Sequence, residues 1–260
     1  ANVSHAYVDE SGGMVAQNLE QDNITITAGR EAENARPASR NLHMECINVQ
    51  HTAKFARYKG TIVAVGGNGR SRTCVSSSLA HHACHASISG LLLSGGTQRN
   101  DMRTTVHHMA QGTTADQIQK NLVGGRATAT FKGRIRVEQD AQQTDAKQLI
   151  RTVLTTDKCR IWAMPSLEII ADDVKCTHGA TVSDLSEEEM FYLNARGLNA
   201  DSARSLLMFA FVNEVLLGAD KLPKSIVGDE RFGLRKRLMS RLYNMTPKGK
   251  RAVMGEFQSI

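Results

Sequence analysis

Paired glycines recur along this chain at a fixed interval, and that interval restricts the available folds more than any other feature. Gly66/Gly67, Gly95/Gly96 and Gly124/Gly125 are each 29 residues apart (66 to 95, 95 to 124), and every pair ends a short apolar run. A period of this length predicts a solenoid in which each coil stacks on its neighbour and glycine fills the turn positions that need positive φ. The texture up to about Ser183 agrees. Short alternating stretches (Ile24 to Thr27, Thr61 to Val65, Ala127 to Val137, Arg160 to Trp162) are separated by Gly, Asn, Asp and Thr, and no amphipathic helix interrupts them. Aromatic residues make up only 5% and Trp162 is the sole tryptophan, so Val, Ile, Leu, Ala and Met must fill the core, which favours thin repetitive layers. A sandwich of antiparallel strands is the rival architecture.

After Ser183 the pattern turns helical. Ser186 and Glu189 form a capping box, Glu187 and Glu188 suit the positive end of a helix dipole, and Gly197 is placed to terminate the helix. A second helix from about Asn199 shows apolar residues at Ala203, Leu206, Leu207, Ala210, Phe211 and Val215, with Gly218 closing it. A third is expected after Asp229 and a fourth at Thr246-Pro247. The reading is therefore a mainly β core domain over residues 1–183 and a C-terminal helical domain with a basic tail over residues 184–260.

The 260 residues carry a net charge of +6, which raises nucleic acid as a partner. From Asp220 to Ile260 there are ten Lys or Arg against four acids, leaving 22 of each sign in the remainder. The body is neutral, which argues against a nucleic-acid partner, and Leu234, Leu238 and Leu242 at helical spacing make the basic tail readable as a solvated helix face. No apolar run reaches the roughly 20 residues of a membrane span. Five scattered cysteines fit a reducing compartment better than a disulfide framework. The chain opens on Ala1 with no basic-then-apolar leader, so it reads as a processed product or a fragment.

The segment Val65 to Arg72 (VGGNGRSR) lacks both the third glycine of a dinucleotide fingerprint and a Gly-Lys-Ser/Thr, so it is no phosphate loop. His81, His82, Cys84 and His85 suggest a metal cluster. On a strand, however, His82 and Cys84 would share one face and His81 and His85 the other, leaving at most two convergent ligands. Cys176 and His178, within DDVKCTHGAT (Asp172 to Thr181), are two apart and project from one face of a strand. A thiolate beside an imidazole suits iron or zinc, and the missing ligands must come from elsewhere in the fold or from a partner chain. A buried thiol next to a hydrogen-bonded histidine is the bland alternative.

The stretch LEIIADDVKCTHGATVSDLSEEEMFYLNARGL (Leu167 to Leu198) closely resembles the SufB/SufD family of iron-sulfur cluster assembly proteins. AQQTDAKQL (Ala141 to Leu149), FKGRIRV (Phe131 to Val137) and NDMRTTVHH (Asn100 to His108) resemble earlier blocks of the same family, so the similarity runs from about Gly90 to Val215. THGAT where SufB members look like EHEAT, and Thr144 where they carry a cysteine, point to the SufD branch; Thr177 replaces its Ser conservatively, and Met164 stands where a Lys is common. The resemblance implies a right-handed parallel β-helix followed by a helical C-terminal domain. It implies a scaffold subunit rather than an enzyme, in the bacterial cytoplasm or plastid stroma. Its partners would be a SufB-like subunit, or a second SufD-like copy, and a SufC-like ATPase that binds the nucleotide. A transient iron-sulfur cluster would be shared with the sister subunit. His178 would contribute to building it, with Cys176 beside it, and both are the candidate metal ligands. The ATPase would contact Ser186 to Leu217, with Ser186, Glu189, Phe191, Tyr192, Arg196, Gly197, Leu206 and Phe211 as the contact residues. A β-solenoid interaction protein that has lost cluster assembly is the competing reading.

Overall fold

The structure, a computed structural model, describes residues 2–8, 14–20, 42–65 and 69–217, together with Leu238 and Leu242. Twelve strands precede two helices. The strands are β1 (Asn2–Val8), β2 (Met14–Glu20), β3 (Leu42–His51), β4 (Arg57–Val65), β5 (Arg70–Leu79), β6 (His85–Ser94), β7 (Arg99–His108), β8 (Thr114–Val123), β9 (Thr128–Val137), β10 (Thr144–Leu154), β11 (Arg160–Ile169) and β12 (Val174–Ser183). The helices are α1 (Glu187–Ala195) and α2 (Ala200–Leu217). From β3 onward the chain alternates between two parallel sheets. Odd strands stack as β11-β9-β7-β5-β3, with β1 and β2 added antiparallel beyond β3, and even strands stack as β12-β10-β8-β6-β4.

This is a parallel β-solenoid, the solenoid predicted from the glycine interval and the parallel strands implied by the family resemblance. Arg70 pairs with Arg99 and Arg99 with Thr128, so each of these coils advances by 29 residues. The glycine pairs mark one corner: Gly96 and Gly125 have φ of +60 and +67, and a Cβ on Gly125 would come within 2.9 Å of the Gly96 backbone. At Gly125 the stacked corner leaves no room for a side chain, whereas Gly96 faces open space and favours glycine for its left-handed backbone alone. Gly66 and Gly67 lie outside the described residues, as do Ile24 to Thr27, Gly218, the two later helices and all of the basic tail except Leu238 and Leu242, which are helical.

The opposite corner also uses left-handed residues, but only one of them is glycine. Phe55 (φ 60), Ala83 (φ 55), Gly112 (φ 69) and Gln143 (φ 60) occupy equivalent turns in successive coils. Each donates its backbone N–H to a carbonyl of the next coil, at His82, Gln111, Gln142 and Asp173 respectively. Those inter-coil bonds offset the roughly 1–2 kcal/mol that a residue with a Cβ loses in the left-handed region.

Inside the coils, alternation places Ile47, Val75, Ile88, Met102, Val106, Phe131, Ile135 and Ile150 in one continuous core. Outside the even sheet a second cluster joins Val63, Leu91, Leu93, Leu122 and Val153 to Met208, Val212 and Val215 of α2, with Leu238 and Leu242. The seating of α2 corrects the apolar stripe read from sequence. Ala203 is buried, and Val215 and Phe211 pack in the cluster on the sheet, but Met208 and Val212 are buried where Ala210 is exposed.

Candidate functional site

β12 is the last strand of the even sheet and pairs only with β10, in register from Thr144↔Val174 to Val153↔Ser183. Its free edge has no partner strand among the described residues. Cys176 stands over Ala146 and His178 over Gln148, so both point to the side that in earlier coils is the buried core. Among the described residues, no later coil covers them. Cys176 is half-buried and packs against the main core; His178 is exposed. Burial pushes the Cys176 thiol above its usual pKa, and Asp145 adds to that, while a backbone hydrogen bond at Ala146 opposes it. The thiol is thus held protonated and the imidazole is open to solvent on the same strand face. The sequence reading of these two residues as neighbours on one face of a strand is what the structure contains.

Beneath His178 runs a polar column. Gln148 donates from Nε2 to Gln117 Oε1 at 2.7 Å, and Gln117 in turn donates to Thr104 Oγ1. Gly133 makes room for it, since a Cβ there would overlap the Gln148 amide. Gln148 Oε1, although buried, has no hydrogen-bond partner among the described residues. Sequence reasoning missed this column because a glutamine on a strand looks like a solvent-facing residue, and only the register of the coils shows that it faces inward.

The end of the solenoid exposes large apolar residues among its polar ones. Trp162 is 50% exposed and Val182 50%, with Met164, Ile169 and Ile170 also exposed at the edge formed by β11 and β12. Terminal repeats of a solenoid ordinarily need a polar outer face.

His81, His82 and Cys84 lie not on a strand but in the tight turn between β5 and β6, with Ala83 left-handed, and His85 opens β6. Cys84 is buried and donates to the Ala53 carbonyl at 3.2 Å, His82 lies edge-on to the exposed Phe55, and His85 Nδ1 meets Thr114 Oγ1 at 2.7 Å. The four side chains diverge. Among the described residues, no group of three His, Cys, Asp or Glu could hold a metal ion, so Cys176 and His178 form at most part of a ligand set.

The helical candidates are placed as follows. Ser186 caps α1, its Oγ accepting from the Glu189 N–H at 3.3 Å, and Gly197 (φ +91) ends it after Arg196. α1 buries none of its residues; Phe191 is 75% exposed and Tyr192 56%, with the Arg196 guanidinium 4.9 Å from the Tyr192 ring centre. Leu206 and Phe211 are half-buried on α2. α2 begins at an Asn199 cap that accepts from the Ser202 N–H at 2.9 Å. No described helix is long and apolar enough to cross a membrane.

Residues 2–211 match the family model described as the SUF system FeS cluster assembly, SufBD core domain. An iron-sulfur cluster assembly SufBD family protein of Synechocystis is 35% identical over 190 residues, covering 73% of this chain and 41% of that protein. The iron-sulfur cluster assembly protein SufD of Escherichia coli is 34% identical over 151 residues, 58% of this chain and 33% of the relative. The chloroplastic protein ABCI7 of Arabidopsis thaliana is 42% identical over 115 residues, 44% and 24% respectively. The chain therefore spans less than half the length of these relatives. With the solenoid, the core-domain match and the SufD-named relatives together, this chain belongs to the SufB/SufD family of the iron-sulfur cluster assembly system, on its SufD branch.

Proposed function

We propose that this chain is a SufD-like scaffold subunit whose last coil docks onto a SufB-like sister subunit, and that a nascent iron-sulfur cluster is assembled at that seam with His178 and Cys176 on this side. The observation that carries the reading is the position of β12: the two candidate ligands sit on a strand that is an edge, with no later coil over it, among the described residues. Two free edges flanked by exposed Trp162, Ile169, Ile170 and Val182 suit pairing with another sheet, which satisfies backbone groups and buries apolar area together. The cluster is cargo, and the incomplete ligand set fits a site that must bind and then release it. A SufC-like ATPase supplies nucleotide hydrolysis and seats on the C-terminal helices, where Phe191 and Tyr192 project from α1.

The test is His178→Ala in a complex reconstituted anaerobically with SufB-like and SufC-like partners, supplied with iron and sulfide. The expected outcome is loss of cluster absorbance with complex formation unchanged on size exclusion. Normal cluster yield removes His178 from the mechanism.

A further inference from the structure

At the other end of the solenoid two thiols lie side by side. Cys46 of β3 and Cys74 of β5 are register partners on adjacent parallel strands, whose spacing is about 4.8 Å. Their neighbours Ile47, Thr73 and Val75 are buried in the core, so alternation turns both cysteines to the outer face, where each is half-buried and reduced. Burial, and then the neighbouring Cys46 thiol, push the Cys74 thiol above its usual pKa. Two guanidinium groups oppose that rise in part: Arg103, next in register after Cys74, and Arg72, two residues before it on β5. Both pair with one carboxylate, Asp101, at 2.9 and 2.8 Å. Two cations against one anion leave a surplus positive charge beside the thiols.

We propose that Cys46 and Cys74 form a two-coordinate clasp for a soft monovalent cation, Cu(I). Thiolate sulfur selects this class of ion. On binding, each thiol releases its proton to solvent and forms one S–Cu bond, while copper sheds the ligands that delivered it and keeps its oxidation state. The product, two thiolates around one monovalent ion, carries a single negative charge that matches the surplus on the arginines. Zinc and iron require further protein ligands, and no third His, Cys, Asp or Glu converges there among the described residues. A disulfide would need Cβ atoms about 3.5–4.5 Å apart, closer than side chains standing parallel on neighbouring strands, whereas an ion between the sulfurs leaves the ladder as it is.

The experiment is a titration of the reduced chain with Cu(I) under anaerobic conditions, in competition with bicinchoninate. The wild-type chain is expected to hold one equivalent that Cys46→Ser and Cys74→Ser each lose, with unchanged far-ultraviolet circular dichroism, and that Cys176→Ser retains. Equal retention by all three variants, or loss only in Cys176→Ser, overturns the proposal. X-ray absorption at the copper edge of the loaded wild-type chain gives an answer independent of any variant: two sulfur neighbours support the clasp, and a shell containing nitrogen refutes it. Neither readout depends on cluster assembly at β12.

Discussion

Removing Glu214 should loosen the helical region from the solenoid, by an amount the surroundings of Lys120 determine. The Lys120 side chain is 1% exposed, yet it points outward from β8 and is covered by α2. Its Nζ donates to the Phe211 carbonyl at 3.2 Å and to Glu214, and lies 4.4 Å from the Phe211 ring centre. Burial holds its pKa below the usual lysine value, opposed by Glu214. A hydrogen bond to a charged group contributes about 1.5–3 kcal/mol, but Glu214 is 60% exposed, so water screens its side of the pair. Glu214→Ala should therefore cost about 1–2 kcal/mol, or roughly 3–6 °C in Tm for a chain of this size. Alanine is the better helix former, so helix propensity does not account for such a loss. Lys120→Met keeps the volume and removes the charge, and should change stability by less than about 1 kcal/mol. In the Lys120→Met background, Glu214→Ala should then cost almost nothing, since the group it served is gone. Urea denaturation of the four chains measures this cycle. An equal cost of Glu214→Ala in both backgrounds would refute the argument that the buried ammonium is what Glu214 holds in place.

Two further outcomes follow from the same kind of reasoning. His108 is wholly buried, with Nδ1 2.8 Å from Thr113 Oγ1, and burial pushes its pKa down to about 4. Because the unfolded chain takes up the proton first, stability is full above about pH 6.5 and falls as the pH drops toward 4, by up to about 3 kcal/mol at 1.36 kcal/mol per unit; His108→Gln should flatten that part of the curve in urea titrations from pH 7 to 4, and an unchanged slope would count against it. Phe191→Ala with Tyr192→Ala removes side chains that touch nothing in the core, so the fold should keep its Tm while co-purification of a SufC-like ATPase drops; retained co-purification would move the docking site off α1.

The solenoid was legible because its period is written in glycine. Gly96 and Gly125 need a left-handed backbone at one corner, and spacing alone gave the 29-residue advance. The second corner was silent, because Phe55, Ala83 and Gln143 take the same conformation without the glycine that would announce it. Their backbone bonds to the next coil are long-range, and no local propensity reports them. Ser186 and Gly197 were readable as helix ends because capping is local chemistry. Cys176 and His178 were readable as a pair because i and i+2 share a strand face. Lys120 was not, since a lysine on a strand reads as solvent-facing until a helix 90 residues later covers it. Cys46 and Cys74 carried a usable signal, one coil apart at 46 and 74, but it acquires meaning only once the coil length is known.

The stacking that makes the chain readable also bears on how the site at its end can open. β12 is held to β10 over ten register pairs, from Thr144↔Val174 to Val153↔Ser183. At about 0.5–1 kcal/mol net for each backbone hydrogen bond, peeling that strand away would cost on the order of 5–10 kcal/mol, comparable with the stability of a whole domain. It would also expose the core against which Cys176 packs. Moving the entire solenoid relative to a docked neighbour breaks none of those bonds. A motor that acts on this scaffold through its C-terminal helices would find a stiff lever, because α2 is fixed to the outside of the even sheet by Met208, Val212 and the Lys120 to Glu214 contact. Displacement of α2 is then transmitted to β12 as motion of a body, and access to Cys176 and His178 changes through separation of subunits rather than through unfolding of the strand that carries them. Hydrogen exchange during ATP turnover in the reconstituted complex distinguishes the two. Protection of the β12 amides that bond to β10 should stay constant while that of the free edge changes, and a loss of protection at both would favour peeling.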